Sequence, residues 1–396
     1  MRTVVIGGGA AGFFAAVNLK EMMPEMEITI FERNTHVLNK VEISGGGRCN
    51  CTNSFAHVGD LQSVYPRGHR LLRRLFKQFG HQEAYQWFET HGVPLVTQDD
   101  DCVFPAVQDS HAIIDCFLRL SHRYHIQICH GRKIDRLSEL GHYDYAVVTT
   151  GGSPRAAGLQ WLADMGHETI SPVPSLFTFS INDARLTELQ GLVVDHVTAH
   201  IPGTKLKSTG PLLITHWGMS GPSILKLSSL AARMLAEAGY SMPFTVNWTG
   251  MNDNELHEVL CHAAVREPQK QLTTYCPIAV PSRLWTYLLE KALSERSRIR
   301  WSDANKKDIN RIVNTLTNDS YQIAGRAAFK DEFVTCGGIS LNSIHPQTLE
   351  SRHVPHLYFA GEVLDIDGVT GGFNFQAAWT TAFVVAKAIA TDARIR

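Results

Sequence analysis

The sequence predicts an α/β fold: a parallel sheet with helices, built from both ends of the chain, with a β-rich, barrel-like region and a small helical region inserted between them. Three observations predict it. "RTVVIGGGAAGFFAAVNLKEMMPEMEITIFER" at the start reads as strand, glycine turn, helix and second strand. "LYFAGEVLDIDGVTGGFNFQAAWTTAFVVAKAIA" near the other end reads as a strand, a glycine-rich loop and a helix. Between them the pattern shifts to strand-like alternation and then to helical stretches rich in Leu, Glu, Lys and Arg.

The chain has 396 residues, which suits two or three domains. Lys+Arg is 37 and Asp+Glu is 38, a net charge of -1. That balance gives no electrostatic reason to expect nucleic acid or an anionic membrane as the main partner. The eight cysteines are scattered, without C-x-x-C or zinc-finger spacing, so free thiols in a reducing cytoplasm are expected. No G-x-S-x-G, P-loop or H-E-x-x-H occurs, which argues against the hydrolases those motifs mark.

"TVVI" is a short β-branched run ending in glycine, and so a buried strand. The longer stretch "TVVIGGGAAGFFAAV" is apolar enough to resemble a signal-peptide core, but three consecutive glycines make a poor apolar helix. Gly7, Gly9 and Gly12 form G-x-G-x-x-G. Gly7 suits the tight turn, Gly9 the close approach of a pyrophosphate, and Gly12 helix-on-strand packing. The helix start at Ala10 and Ala11 offers N–H groups to phosphate. "EITIFE" ends at Glu32, about twenty residues on, where an acid accepts bonds from ribose hydroxyls and favours FAD or NAD over NADP.

The loop "ISGGGRCNCTN" joins bare backbone, a cation, amides and thiols. Gly45, Gly46 and Gly47 permit close approach; Arg48 suits a pyrophosphate or the electron-accepting edge of a ring. Asn50 and Asn53 are expected to offer amide bonds to the ring, with hydroxyls from Ser44 and Thr52. Cys49 and Cys51 are expected to pack as small side chains, because a C-x-C disulfide closes a strained ring. "RGHRLLRRLFKQFG" is amphipathic, with Leu71, Leu72, Leu75, Phe76 and Phe79 apolar and Arg70, Arg73, Arg74 and Lys77 basic; a solvated helix face is expected, with a nucleotide phosphate or acidic partner as alternatives.

In the middle, "GLVVDHVTAHIPGTKLKSTGPLLITH" alternates like antiparallel strands with turns at Pro-Gly and Thr-Gly. His216, Trp217, Met219 and Ser220 are candidates to line a substrate closure. In the last helix, Phe375, Ala378, Trp379, Ala382, Phe383 and Ala386 fall on one apolar face. Gly371 and Gly372 just before it leave N–H groups to face a ligand.

A strand ending in Gly-Glu near the C-terminus, followed by a glycine-led helix, resembles the second FAD fingerprint of flavoproteins with two dinucleotide-binding-type domains. "DYAVVTTGG" is similar to their third element. More closely, "KVEISGGGRCNCTN", "FVTCGGIS", "ESRHVPHLYFAGEVLDIDGVTGGFNFQAAWTTAF" and "THWGMSGPSILKLS" together resemble one family, over residues 1 to about 390. These are the FAD-binding proteins described as aminoacetone oxidase-like or as bile-acid reductase-like, BaiN-type, NAD(P)/FAD-dependent oxidoreductases. Two departures stand out. That family usually carries Gly-Arg before "VFP", where this chain has Asp101 and Cys102, and Cys51 sits at a variable position.

The resemblance implies a Rossmann-like FAD-binding domain over 1–170 and 325–396. An inserted β-rich domain is expected over 171–250, completed by 321–330, and a helical subdomain over 251–320. The implied FAD-binding residues are Gly7, Gly9, Ala10, Ala11, Gly12, Glu32, Arg33 and Lys40 at the first fingerprint. Ser44, Gly45, Gly46, Gly47, Arg48, Cys49, Asn50 and Asn53 follow in the loop, and Thr150, Gly151 and Gly152 after the third strand. Gly361, Glu362, Gly371, Gly372, Phe373 and Asn374 complete the set, with Asn374 near flavin N1 and the C2 carbonyl. The implied activity is hydride transfer between flavin N5 and a small amine, enone or steroid-like substrate, with no metal and no catalytic acid or base assigned. No second G-x-G-x-x-G appears, so NAD(P)H is expected as a transient donor at most. The alternatives are a flavin-dependent RNA-modifying or RNA-bound protein and a flavin sensor without turnover; the net charge argues against RNA.

Overall fold

In the computed structural model, residues 1–153, 155–326 and 334–396 are described. The chain forms two compact units, Met1–Pro174 with Val334–Arg396, and Ser175–Phe333.

The first unit is built on a five-stranded parallel sheet. Its strands are β1 (Arg2–Ile6), β2 (Glu27–Phe31), β3 (Gln127–Cys129), β4 (Tyr145–Val148) and β5 (Leu357–Phe359), in the order β5-β4-β1-β2-β3. Val4, Val5 and Ile6 are buried, as a strand covered on both faces requires. The strand order reverses at β1, which opens a crevice at the carboxyl ends of β1 and β4, where ligands of open α/β sheets bind.

Two helices from opposite ends of the chain, Ala10–Met22 and Phe373–Ile395, pack together over this sheet. Aromatic contacts join them: Phe14 lies 5.2 Å from Trp379, and Phe88 and Phe117 flank that ring at 5.4 and 5.8 Å. Trp379, Ala382 and Ala386 are buried and Phe375 and Phe383 half-buried, but Gln376, Thr380, Thr381 and Val385 on the other side are buried too. The single apolar face expected for this helix is therefore half of the finding. Its polar residues are buried with partners, as where Thr381 Oγ1 accepts the Gly361 N–H at 2.9 Å. No helix among the described residues is long and apolar enough to cross a membrane.

The second unit has its own core and a six-stranded antiparallel sheet. In sheet order it runs Asp319–Gln322, Pro243–Asn247, Val193–His200, Lys207–Thr215, Gly218–Ser220 and Phe179–Ser180. Ser180 bonds to Ala324 and Gly325, just beyond the opposite edge strand, so the sheet curls until its edges meet. Residues 327–330 of the segment expected to complete this region lie outside the described residues. The helices Asp253–Arg266, Ser282–Leu293 and Lys306–Thr317 complete the unit.

Pro202-Gly203 makes the expected turn, but Thr209-Gly210 does not. Gly210 lies inside Lys207–Thr215, opposite a register shift between Val194 and Val197. A glycine within a strand marks such a bulge as readily as a turn.

His167 in the first unit is buried between the Leu162 carbonyl on Nδ1 and Ser351 Oγ on Nε2, both at 2.8 Å. The ring therefore donates from Nδ1 and accepts at Nε2. Burial holds its pKa below the ordinary 6.5, with His353 adding in the same direction. A depressed histidine pKa means the unfolded chain binds more protons. Stability is thus full above about pH 6.5 and is lost as pH falls below it. We expect His167→Asn, which cannot take this charge, to flatten that acid limb in urea melts at several pH values. At neutral pH it should cost about 1–3 kcal/mol for the lost Ser351 bond.

Candidate functional site

Each element at the crevice starts from a glycine with little choice. Gly7 has φ +116, and a Cβ there would collide with the Thr149 carbonyl; at Gly12 it would collide with the Gly7 carbonyl. Thr149 Oγ1 donates to the Gly7 carbonyl at 2.8 Å and fixes the turn from β4. Sequence reasoning chose the neighbouring Thr150 and missed this residue, because nothing in the sequence says which of two adjacent threonines turns toward the glycine loop. Gly9 differs: a Cβ there meets nothing within 4 Å, so its backbone faces open space. The helix it starts has no side-chain cap and no acid in its first turn.

Glu32 is buried, and its carboxylate accepts the Gly8 N–H and the Asn34 N–H, both at 2.8 Å. It holds the glycine turn against the end of β2, whatever it offers a ribose. Arg33 beside it is exposed. Lys40 pairs with Glu362 at 2.7 Å, and the other Glu362 oxygen accepts the Thr335 N–H at 2.8 Å. Gly152 lies tight against both Thr335 and Glu362, and Gly361 against Ala11. Thr150 is exposed and Gly151 half-buried along the same rim. These loops therefore meet, although 322 positions separate Lys40 from Glu362.

The loop 43–53 docks onto the start of the C-terminal helix. Gly372 has φ +86, and a Cβ there would collide with the Thr52 carbonyl. Asn53 Nδ2 donates to the Gly371 carbonyl at 3.0 Å, and its Oδ1 accepts the Phe55 N–H at 2.8 Å. The Asn50 amide, oriented to satisfy its neighbours, donates to the Thr52 carbonyl at 2.8 Å and accepts the Gly372 N–H at 3.2 Å. Asn374 makes a reciprocal pair with the Gly368 backbone at 2.8 and 2.9 Å. These three amides, expected near the flavin ring, are engaged with backbone in this structure and fix the two loops. The engaged groups are the ones a tight chain reversal leaves unpaired. Thr52 Oγ1 donates to Gln376 at 2.6 Å and Tyr65 OH to the Phe373 carbonyl at 2.7 Å, tightening the same junction.

Arg48 lies over Phe104, 4.3 Å to the ring centre, with Nε on the Gly45 carbonyl at 3.2 Å and Nη1 on Gln108 at 3.3 Å. Ser44 Oγ donates to the Val41 carbonyl at 2.8 Å. Gly46 and Gly47 face open space. Cys49 and Cys51 are fully buried free thiols. Burial pushes Cys49 up to about 12, against a smaller opposing pull from Ser44, and raises Cys51 in the same direction. Both stay protonated at neutral pH, and so are poor nucleophiles and poor metal ligands. Among the described residues no cluster of His, Cys, Asp and Glu could hold a metal.

At the departure from the family pattern, Asp101 has φ +67, a region that favours glycine and that Asp tolerates better than most residues. Its carboxylate accepts Ser54 Oγ at 2.7 Å and meets His57 Nδ1 at 2.6 Å. Cys102, in the arginine's place, is buried and pairs with Asn53 in a short antiparallel ladder. In the second unit, Met219 is buried and His216 is exposed beside Trp217, 3.6 Å between ring centres; Thr178 Oγ1 donates to Ser220 Oγ at 2.8 Å.

The fit of a dinucleotide can be judged from these parts. Two long helices begin with unpaired N–H groups, no acid in the first turn and glycine as the preceding residue. Bare backbone at Gly9, Gly46 and Gly47 leaves room beside them. The group fits: Gly9 and the first helix would hold the pyrophosphate, and the C-terminal helix start would face the flavin.

The parallel sheet with a glycine turn after its first strand gives the first unit a Rossmann-like, dinucleotide-binding fold. A 3-ketosteroid Δ1-dehydrogenase from Sterolibacterium denitrificans shares the fold, with a TM-score of 0.50 at 10% identity over 98% of this chain and 99% of that one. The HI0933-like protein Rossmann domain family matches residues 1–388, and the chain belongs to that family. It is an FAD-dependent oxidoreductase. The 3-dehydro-bile acid delta(4,6)-reductase of Clostridium scindens is 26% identical over 98% of this chain and 99% of that protein. The ribosomal RNA dihydrouridine synthase of Escherichia coli is 26% identical over 97% and 96%.

Two predictions follow from the geometry. Gly9→Val should leave the fold intact, because the new side chain meets only open space, yet should strip FAD. Far-UV circular dichroism and flavin content of the purified protein check both halves; full flavin retention overturns the assignment. Cys49→Ala with Cys51→Ser should keep the flavin spectrum and most of the turnover, because neither thiol ionises. Loss of turnover with FAD retained would point to thiol chemistry.

Proposed function

We propose that the chain is a reductase of carbon–carbon double bonds conjugated to a carbonyl. The observation that carries this reading is the reaction shared by two near-full-length relatives. A delta(4,6)-reductase acting on a 3-dehydro bile acid, and a synthase making dihydrouridine, both saturate such a bond. Hydride delivered to the electrophilic end of the conjugated system, with a proton taken up at the carbon next to it, would saturate either. A steroid-like enone and a uracil are therefore variants of one electronic problem.

FAD, when bound, supplies the hydride chemistry. The chain's part is orientation and electrostatics. Gly7, Gly9 and Gly12 hold the turn that receives the pyrophosphate. The Lys40–Glu362 pair, which joins the two rims, would lie beside the ribityl chain. The unpaired N–H groups after Gly372 favour negative charge, by about 0.3–2 kcal/mol for a helix end. The buried thiols and the backbone-engaged amides add no competing acid or nucleophile. NAD(P)H is the proposed electron donor, bound transiently, because the sequence carries one dinucleotide fingerprint of the G-x-G-x-x-G type.

The test is anaerobic reoxidation. The protein is reduced with NADPH or dithionite, then mixed with cyclohexenone, a 4-en-3-one steroid or uridine. We expect at least one of these acceptors to restore the yellow flavin band. If none does, and simple amines instead bleach the oxidised flavin, the chain is an amine oxidase and the proposal falls.

A further inference from the structure

The basic helix His69–Leu75 has no part in the site described above. Arg70, Arg73, Arg74 and Lys77 recur at i, i+3, i+4 and i+7, and all four are exposed. They share one face because helical bonds continue past Leu75, from Phe76 to Leu72 and from Phe79 to Leu75. Leu71, Leu72, Leu75 and Phe79 bury the opposite face. The row is about 10 Å long at the helical rise. Lys387, exposed on the C-terminal helix, reaches Gln78 at 3.4 Å and adds a fifth cation.

A solvated helix face ordinarily mixes the two signs, since like charges at i, i+3 and i, i+4 repel. Here no acid occurs between Arg67 and Gly80. Arg73 pairs with Asp60 at 2.9 Å; among the described residues, Arg70, Arg74, Lys77 and Lys387 have no carboxylate partner. The net charge of -1 is an average over the whole chain and does not describe this row. A row of unneutralised cations releases counterions when it meets a row of phosphates.

Its place matters as well. The helix follows Gly68 directly, and Arg67 before it forks onto Asp367, which is fully buried. Asp367 lies in the loop that runs into Gly371 and Gly372. The row therefore begins at the loop that delivers the candidate flavin helix.

We propose that this row is a docking surface for the sugar–phosphate backbone of RNA, and that it brings a uracil-bearing strand to the flavin site. The inference rests on the reading of the chain as a conjugated-carbonyl reductase and selects uracil within it. A steroid-sized acid carries one carboxylate and gives no use for a row of cations of which Arg70, Arg74 and Lys77 lack a carboxylate partner; a polyanion does.

The test uses the full-length, FAD-bound protein and a fluorescein-labelled oligouridine of about 20 nucleotides, longer than a typical single-strand site. Anisotropy is followed over a salt series. We expect salt-dependent binding. Arg70→Gln, Arg74→Gln and Lys77→Gln together should weaken it at least tenfold at moderate salt and lower the log–log salt slope by about 2, three contacts at about 0.7 each. Flavin content and reoxidation by cyclohexenone should not change, since these residues lie outside the flavin site. The proposal is overturned if the parent protein does not bind the oligomer, or if the triple variant binds equally well. It is also overturned if polyglutamate displaces the RNA as well as unlabelled RNA does, which would make the row a site for an acidic peptide. Failure of the reductase reading would show separately, as RNA binding without reoxidation by any conjugated carbonyl.

Discussion

The site depends on two helix starts that the protein leaves without caps. Every α-helix begins with N–H groups that lack a partner within the helix. Some helices of the second unit answer this locally: Asn252 and Asn305 cap theirs with full capping boxes, and Asp183 accepts the Leu186 N–H, while Pro222–Leu230 and Ser282–Leu293 start without a side-chain cap. The helices starting after Gly9 and Gly372 receive neither a side-chain cap nor a first-turn acid. These helices come from opposite ends of the sequence and pack against each other, so their positive ends meet the same crevice. An anionic, extended ligand supplies what the side chains withhold.

Holding two such ends together has a cost, since like dipole ends repel and bare glycines add chain entropy. The structure offsets this with packing on one side and polar ties on the other. Below, Phe14, Phe88, Phe117 and Trp379 form one aromatic cluster across both helices. Above, Asn50, Asn53, Thr52 and Tyr65 bind the loops to the start of the C-terminal helix. The Arg67–Asp367 pair adds a buried ionic clasp, where removing one partner would strand the other charge.

Much of this was legible in the sequence, and the rest has a physical reason for being hidden. The turn at Gly7, the packing at Gly12 and the acid at Glu32 follow from local rules, because strand, turn and helix are neighbours in the chain. The parallel sheet and the curled antiparallel sheet were likewise readable from their periodicities. The tie from Asn374 to the Gly368 backbone was not: composition marks an amide near a helix start, but its bonding to a loop six positions back depends on how that loop closes. The Arg67–Asp367 pair spans 300 positions and leaves no spacing to detect. Gly210 shows the limit for turns, since a bulge and a turn both call for glycine and only the register of the partner strand separates them.

A site made chiefly of backbone also constrains how substrates can diverge. The groups offered at Gly9, Gly46, Gly47 and the start of the C-terminal helix are N–H groups and open space. They depend on glycine and on geometry, and most other side chains around them can change without altering what the cofactor meets. Relatives only 26% identical can therefore share a cofactor site and still bear the names of enzymes for a bile acid and for an RNA base. The hairpin before Val103 lies beside the glycine loops without belonging to the helix starts: Asp101 takes the left-handed conformation and binds Ser54 and His57, while Cys102 is buried beside Asn53.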